Sequence, residues 1–238
     1  MRRLLGVTAV VLALGGFGAA WAGPAQDAMA ALERKDYAEA FRLMVPLASQ
    51  GDVVAQYRVG QAYEFGRGVK ADSAAAYGWF RKAAERGLAP AQYKVGMLVS
   101  LGVGAPKDAA EGAVWYRKAA EQGNVDAQFD LARAYARGYG VAEDPVESAR
   151  WYRKAADQGY ANARYELSGM YETGEGVPKD PVQAYMWMLL AQAAYAADGE
   201  TSLGGMAATQ LNMLAGSTTP TQKAEAQRLA NARAGNSQ

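Results

Sequence analysis

The chain has 238 residues, with 25 basic and 24 acidic side chains and neither cysteine nor histidine. This near-neutral balance argues against a nucleic-acid binder or a polybasic membrane clamp. Without histidine or cysteine there are no disulfide bonds, no usual zinc ligands and no Ser-His or Cys-His nucleophile systems. We therefore expect no catalytic residues, no metal site and no cofactor.

The first 22 residues have the pattern of a signal peptide. An arginine pair precedes an apolar run that ends at Trp21, and residues 20–22 (Ala-Trp-Ala) fit the small-x-small pattern cut by signal peptidase. A membrane anchor is the alternative, but the apolar run is shorter than the ~20 residues that a spanning helix needs, and glycines interrupt it. The sequence predicts cleavage between Ala22 and Gly23, giving a periplasmic or secreted chain with no stable membrane insertion.

Residues 23–51 predict a helical hairpin that caps the N-terminal end of the fold. Its helices are expected over 25–34 and 37–49. Asp36 is placed to cap the second helix, and Glu39 completes a capping-box spacing.

A 36-residue repeat follows, and we divide it into four repeats spanning 52–87, 88–123, 124–159 and 160–194. Internal repeats of this length indicate stacked supersecondary units. Five columns keep one register at this interval: Trp79, Trp115, Trp151, Trp187; Ala55, Ala91, Ala127, Ala163; Gly66, Gly102, Gly138, Gly174; Gly68, Gly104, Gly140, Gly176; and Asp72, Asp108, Asp144, Asp180.

Each repeat predicts two helices. In the first repeat, Ala55 and Val59 share one helical face, and Gly66 is suited to the left-handed conformation that ends a helix. Asp72 then has the N-cap position of a second helix, whose inner face carries Trp79.

The last segment, residues 195–238, predicts C-terminal capping helices. Tyr195 replaces the glycine that closes the earlier repeats. A polar loop is expected near 198–202, a helix near 204–214, and a last helix that begins at Thr219-Pro220 and ends near Ala234.

The repeat resembles the Sel1-like repeat, a relative of the tetratricopeptide repeat. Residues 55–87 follow the pattern A-Q-Y-x-V-G-x-x-Y-x-x-G-x-G-V-x-x-D-x-x-x-A-x-x-W-x-x-K-A-A-x-x-G nearly completely, and the next two repeats keep most of it. This resemblance implies an all-α, right-handed α-solenoid whose concave groove is lined by the first helix of each pair. It also implies scaffold or adaptor work with a protein partner, often in the bacterial envelope.

The resemblance also implies which first-helix residues face the groove. Aromatic residues form one column, where they are either recognition residues or packing between repeats. The residue four positions further on varies between repeats, which is typical of recognition sites but also of solvated surface. The predicted partner-binding residues are Tyr57, Gln61, Glu64, Tyr93, Met97, Phe129, Arg133, Tyr165 and Glu172.

Several functional alternatives remain. The Arg-Lys pairs such as Arg117-Lys118 fit the negative ends of helix dipoles, or they form a patch for an anionic partner. The leading interpretation is a non-enzymatic protein-interaction scaffold, with a peptidoglycan or glycan binder as the alternative. A β-lactam hydrolase-like enzyme, as described for cysteine-rich relatives, is disfavoured because the chain has no cysteine, no Ser-x-x-Lys and no Lys-Thr-Gly.

Overall fold

A computed structural model of the chain describes residues 23–235, and the predicted signal peptide, residues 1–22, lies outside this part. Within residues 23–235 the chain forms twelve α-helices and no strand, which confirms the predicted all-α class. The helices are α1 Pro24–Glu33, α2 Tyr37–Ser49, α3 Val53–Phe65, α4 Ser73–Glu85, α5 Ala89–Leu101, α6 Ala109–Glu121, α7 Val125–Arg137, α8 Pro145–Asp157, α9 Ala161–Thr173, α10 Pro181–Asp198, α11 Thr201–Ser217 and α12 Pro220–Gly235.

The chain divides into two compact units, at residue 86. In unit 1, each helix from α1 to α4 packs against the next one along the chain. Unit 2 repeats this arrangement from α5 to α11, and α12 returns to pack on α10. Consecutive packing of helix pairs is the arrangement of an α-solenoid.

Capping residues set the helix boundaries as the sequence predicts. The side chains of Asp36, Asp72, Asp108, Asp144 and Asp180 each accept a hydrogen bond from a backbone amide at the start of a second helix. The first helices end at Gly66, Gly102, Gly138 and Gly174, which are left-handed with φ between 64° and 87°. Both devices satisfy backbone groups that a helix end leaves unpaired.

The second glycine of three of the loops is required by close packing. Gly140 has a φ of 71°, and a Cβ there would overlap the main-chain carbonyl of Ala109 at the start of α6. Gly176 has the same relation to Pro145, and Gly68, in unit 1, to Tyr37. At these three positions the loop packs against the start of the second helix of the preceding helix pair.

Buried polar side chains connect neighbouring repeats. Gln128 is 4% exposed; its Nε2 donates to the Ala120 carbonyl at 3.1 Å, and its Oε1 accepts from Gln158 at 2.7 Å. Arg164 holds the equivalent position one repeat later, and its Nε donates to the Ala156 carbonyl at 3.1 Å. Buried polar groups need such partners, so these positions tolerate few residue types.

The C-terminal end differs in detail from the prediction. α10 has 18 residues against 13 in α8, because Tyr195 continues the helix where a glycine closes the earlier repeats. α11 begins at Thr201, three residues before the predicted start, so the expected loop shrinks to residues 199 and 200. The division into repeats and caps remains a prediction. Crossing a membrane needs a longer or more apolar helix than any found in residues 23–235.

Candidate binding surface

The predicted groove residues of unit 1 lie on α3. Tyr57, Gln61 and Glu64 are all half-buried. The ring of Tyr57 packs on Phe80 of α4, with centroids 5.4 Å apart, and Gln61 accepts a hydrogen bond from Arg58 at 2.9 Å. Tyr57 thus contributes to packing within its own repeat while part of its surface stays in solvent.

Unit 2 places its predicted residues in the same way on α5, α7 and α9. These residues are half-buried: Tyr93, Met97, Phe129, Arg133, Tyr165 and Glu172. We call the surface formed by Tyr93, Met97, Phe129, Arg133 and Tyr165 the first-helix face. Its apolar members pack on the edge of the hydrophobic core, which fixes their positions and leaves one side open.

A second aromatic column lies beneath the first-helix face, and the sequence analysis missed it. Tyr93 packs on Tyr116 with centroids 5.8 Å apart, and Phe129 packs on Tyr152 at 5.6 Å. Tyr116 and Tyr152 follow the column tryptophans directly in the sequence, so the 36-residue register contained the signal. Tyr93 and Phe129 therefore help to pack their repeats, and the exposed edges of their rings take no part in these contacts.

Asp130 is a further polar member of this surface that the sequence analysis did not select. Its carboxylate accepts from the Tyr93 hydroxyl at 3.2 Å and forms an ion pair with Arg133 at 3.2 Å. Burial raises the pKa of Asp130, an effect that these two partners oppose. Burial together with the nearby Asp130 charge raises the pKa of Tyr93. A partly buried carboxylate in this setting has a strong requirement for hydrogen-bond donors or positive charge.

Glu166 holds the position equivalent to Asp130 in the next repeat. Burial raises its pKa, while the positive charges of Arg137 and Arg133 lower it. The preceding repeat has Lys94 at this position. The charge therefore changes from positive to negative along the face, a variation that the helix packing does not require.

Arg133 is positioned by contacts on its own helix. Besides the pair with Asp130, its guanidinium lies over the Phe129 ring, 5.8 Å from the centroid. The side chain remains 43% exposed, so a binding partner could reach it. The equivalent residues Met97 and Gly169 share neither its charge nor its size.

Glu172 is held by the C-terminal helices. Its Oε2 accepts a hydrogen bond at 2.8 Å from Gln210 of α11. The two residues are distant in sequence and outside the repeat register, so no periodic signal could have indicated this contact. A partner that binds Glu172 would have to compete with Gln210.

The Arg-Lys pairs are engaged with aromatic rings. Lys118 lies over Trp115 and Lys154 over Trp151, each 4.1 Å from the ring centroid. Arg117 lies over Tyr135 of the following repeat, 5.6 Å from the centroid. These cation–π contacts give the Arg-Lys pairs a structural role, for which the sequence had suggested only the helix dipole as the cause.

The first-helix face carries residue types that are common at protein interfaces. Within residues 23–235 no group of three or more carboxylates is arranged to hold a metal ion. The first-helix face offers aromatic edges and Arg133, and the carboxylates of Asp130 and Glu166 follow two of its aromatic residues directly in the sequence. Aromatic and arginine side chains contribute most of the binding free energy at protein interfaces.

Helix pairs repeated every 36 residues, with fixed caps and stacked faces, define an α-solenoid repeat protein. The Sel1 repeat family model matches residues 30–52, 53–88, 89–124, 125–160 and 161–191. The chain therefore belongs to the Sel1 repeat family, as its motifs predicted. Such proteins generally mediate protein–protein interactions, and their fold typically serves as a non-catalytic scaffold.

The chain is similar to several solved structures, including the following two. A Sel1 repeat protein from Oxalobacter formigenes is 32% identical with a TM-score of 0.67, over 71% of this chain and 69% of that one. The protein c5321, a protective antigen present in uropathogenic Escherichia coli strains, is 28% identical with a TM-score of 0.52, over 83% of this chain. The match spans 48% of the c5321 chain. A comparison with curated proteins finds no match.

Proposed function

We propose that this chain is a non-enzymatic scaffold of the bacterial envelope that binds a segment of a protein partner on the first-helix face of unit 2. The observation that carries the proposal is the variable, half-buried position at Met97, Arg133 and Gly169, which lies next to half-buried aromatic rings. Packing favours the same residue in every repeat, whereas recognition requires differences between them.

Site-specific photo-crosslinking tests the proposed surface. A photoreactive amino acid replaces Met97 or Gly169 on the first-helix face, and Arg150, an exposed residue of α8, serves as the matched control position. We expect one discrete crosslinked species in envelope extract from positions 97 and 169 and none from position 150. Equal crosslinking at all three positions would place the binding site elsewhere.

The envelope location is proposed from the N-terminal pattern, and it has a separate test. Cell fractionation followed by mass spectrometry should recover the chain from the periplasm or the medium with Gly23 as its first residue. An intact Met1 in the membrane fraction would contradict cleavage and indicate an anchored protein. This result would leave the proposed binding surface untouched.

A further inference from the structure

A cleft of about 470 Å³ opens in unit 2 where the fourth repeat meets the C-terminal helices. Its lining includes Tyr160, Asn162, Tyr195, Asp198, Glu200 and Leu203. The Tyr195 hydroxyl donates to Asn162 Oδ1 at 2.7 Å, which ties α10 to the start of α9. The volume falls in the range of small-ligand sites, about 300–1,000 Å³.

The break in the repeat creates this cleft. Tyr195 stands in the column that is glycine in the earlier repeats, and its ring is 4% exposed. Because α10 continues past this point, it carries Asp198 to the rim of the cleft, and the left-handed Gly199 then turns the chain so that Glu200 follows on the same rim. The earlier repeats end their second helices before such a wall can form.

Carboxylates dominate the charge around the cleft. Asp198 and Glu200 are exposed at the rim, and no lysine or arginine is among the described residues that line it. Burial raises the pKa of Tyr160, and the neighbouring Asp126 and Asp130 charges act in the same direction. Burial likewise raises the pKa of Tyr195 to about 12, with the Glu166 charge contributing next.

Arg164 lies near the cleft, and its positive charge could neutralise the rim carboxylates. Its guanidinium lies near Gly159, where Nη2 would be 3.7 Å from an added Cβ. Nε donates to the Ala156 carbonyl and Nη1 to the Leu190 carbonyl at 3.2 Å. These bonds hold the half-buried Arg164 between the third and fourth repeats, and among the described residues it forms no ion pair with the rim carboxylates.

The cleft is continuous with the first-helix face. Tyr160, which lines the cleft, packs on Phe129 with ring centroids 5.0 Å apart. A segment that binds along Phe129 would therefore place a side chain within reach of the cleft.

We propose that the cleft receives a cationic side chain, lysine or arginine, of the bound partner segment. This inference rests on the proposed function and adds the chemistry of the partner. The rim carboxylates supply charge-assisted acceptors, and the half-buried ring of Tyr160 suits the aliphatic stem and the cationic head of such a side chain. The amide oxygen of Asn162 already accepts a hydrogen bond from Tyr195, and the rim carboxylates are the stronger acceptors because they are charged.

A displayed library of random peptides, selected on the mature protein, provides the probe. The strongest binder is resynthesised with citrulline in place of arginine, or acetyl-lysine in place of lysine, and dissociation constants are measured by fluorescence anisotropy. The protein variants are Asp198→Asn/Glu200→Gln and, as the matched loss of charge, Glu121→Gln/Glu143→Gln at exposed positions away from the cleft. All four positions are exposed, so the fold should be retained, and circular dichroism melting verifies this.

The selected peptides should share a lysine or arginine whose neutralisation weakens binding about tenfold or more, as loss of a hydrogen bond between charged groups does. The Asp198→Asn/Glu200→Gln variant should bind the unmodified peptide about tenfold more weakly than the parent protein does. Neutralising the peptide cation should not weaken binding to this variant any further, because both changes remove the same interaction. The control variant should bind as the parent does.

Two outcomes would overturn the inference in distinguishable ways. If the peptides bind without a cation, or the cleft variant binds them unchanged while Arg133→Ala weakens binding, the cleft assignment is wrong and the proposed binding face stands. If no peptide binds, or substitutions on neither surface affect binding, the proposed function fails together with the inference.

Discussion

The contact of the Gly140 loop with the preceding repeat leads to a prediction about stability. Gly140→Ala adds a Cβ that would overlap the main-chain carbonyl of Ala109. Gly123→Ala is its matched control, because Gly123 is also left-handed, with a φ of 89°, but has no atom within 4 Å of an added Cβ. The pair separates the cost of an unfavourable φ from the cost of displacing a neighbouring repeat.

The left-handed conformation should cost about 1–2 kcal/mol of unfolding free energy in both variants. Gly140→Ala should cost about 1–3 kcal/mol more, as overpacking does, because a main-chain carbonyl cannot rotate away as a side chain would. Urea unfolding followed by tryptophan fluorescence measures both, since Trp115 and Trp151 are buried in unit 2 and report its packing.

Equal unfolding midpoints for Gly140→Ala and Gly123→Ala would refute the reasoning. The loop would then have room to move away from α6, and Gly140 would be needed only for its φ. A variant that keeps its midpoint but has a smaller urea dependence would instead indicate that the two repeats unfold separately.

Three further predictions concern unit 2. Trp151→Ala should lower unfolding free energy by about 3–5 kcal/mol, the range for large-to-small core changes, and a parent-like melting curve would contradict the assigned core face. Asp144→Ala should cost nearer ~1 kcal/mol through lost capping, measured by the same urea titration. Because burial raises the pKa of Asp130 and Glu166, the folded state binds more protons, so stability should fall as the pH rises from about 4 through these raised values. The melting temperature of the double variant Asp130→Asn/Glu166→Gln should not fall with pH across this window. If the variant and the parent show the same dependence of melting temperature on pH, these two carboxyl groups are not its cause.

The repeat made most of the fold predictable. A column that recurs every 36 residues reports the same environment several times, so Asp144 could be assigned as a cap and Trp151 as core without any coordinates. The C-terminal helices have no such repetition. The start of α11 was therefore placed three residues late, and the consequence of Tyr195 for the length of α10 was not recognised.

The candidate surface was less predictable than the fold. The sequence indicated which first-helix residues to consider, but hydrogen bonding within the surface depends on contacts between helices. Asp130 was missed because its role comes from Tyr93, a residue of the preceding repeat, and from the burial that this repeat provides. Glu172 was selected from the sequence, but its contact with Gln210 could not be predicted, because Gln210 lies outside the repeats.

The most direct test of the account is a paired measurement on Arg133→Ala, with Arg150→Ala as the control. Both arginines form an i,i+3 pair with a carboxylate, Arg150 with Glu147 and Arg133 with the partly buried Asp130. We expect Arg150→Ala to leave stability within about 0.5 kcal/mol and Arg133→Ala to cost about 1 kcal/mol, so both variants should stay folded. Only Arg133 lies on the first-helix face. Its loss should weaken binding to the crosslinked partner by about 2 kcal/mol or more, while Arg150→Ala binds as the parent does. Undiminished affinity in a stably folded Arg133→Ala protein would contradict the proposal that this face recognises the partner.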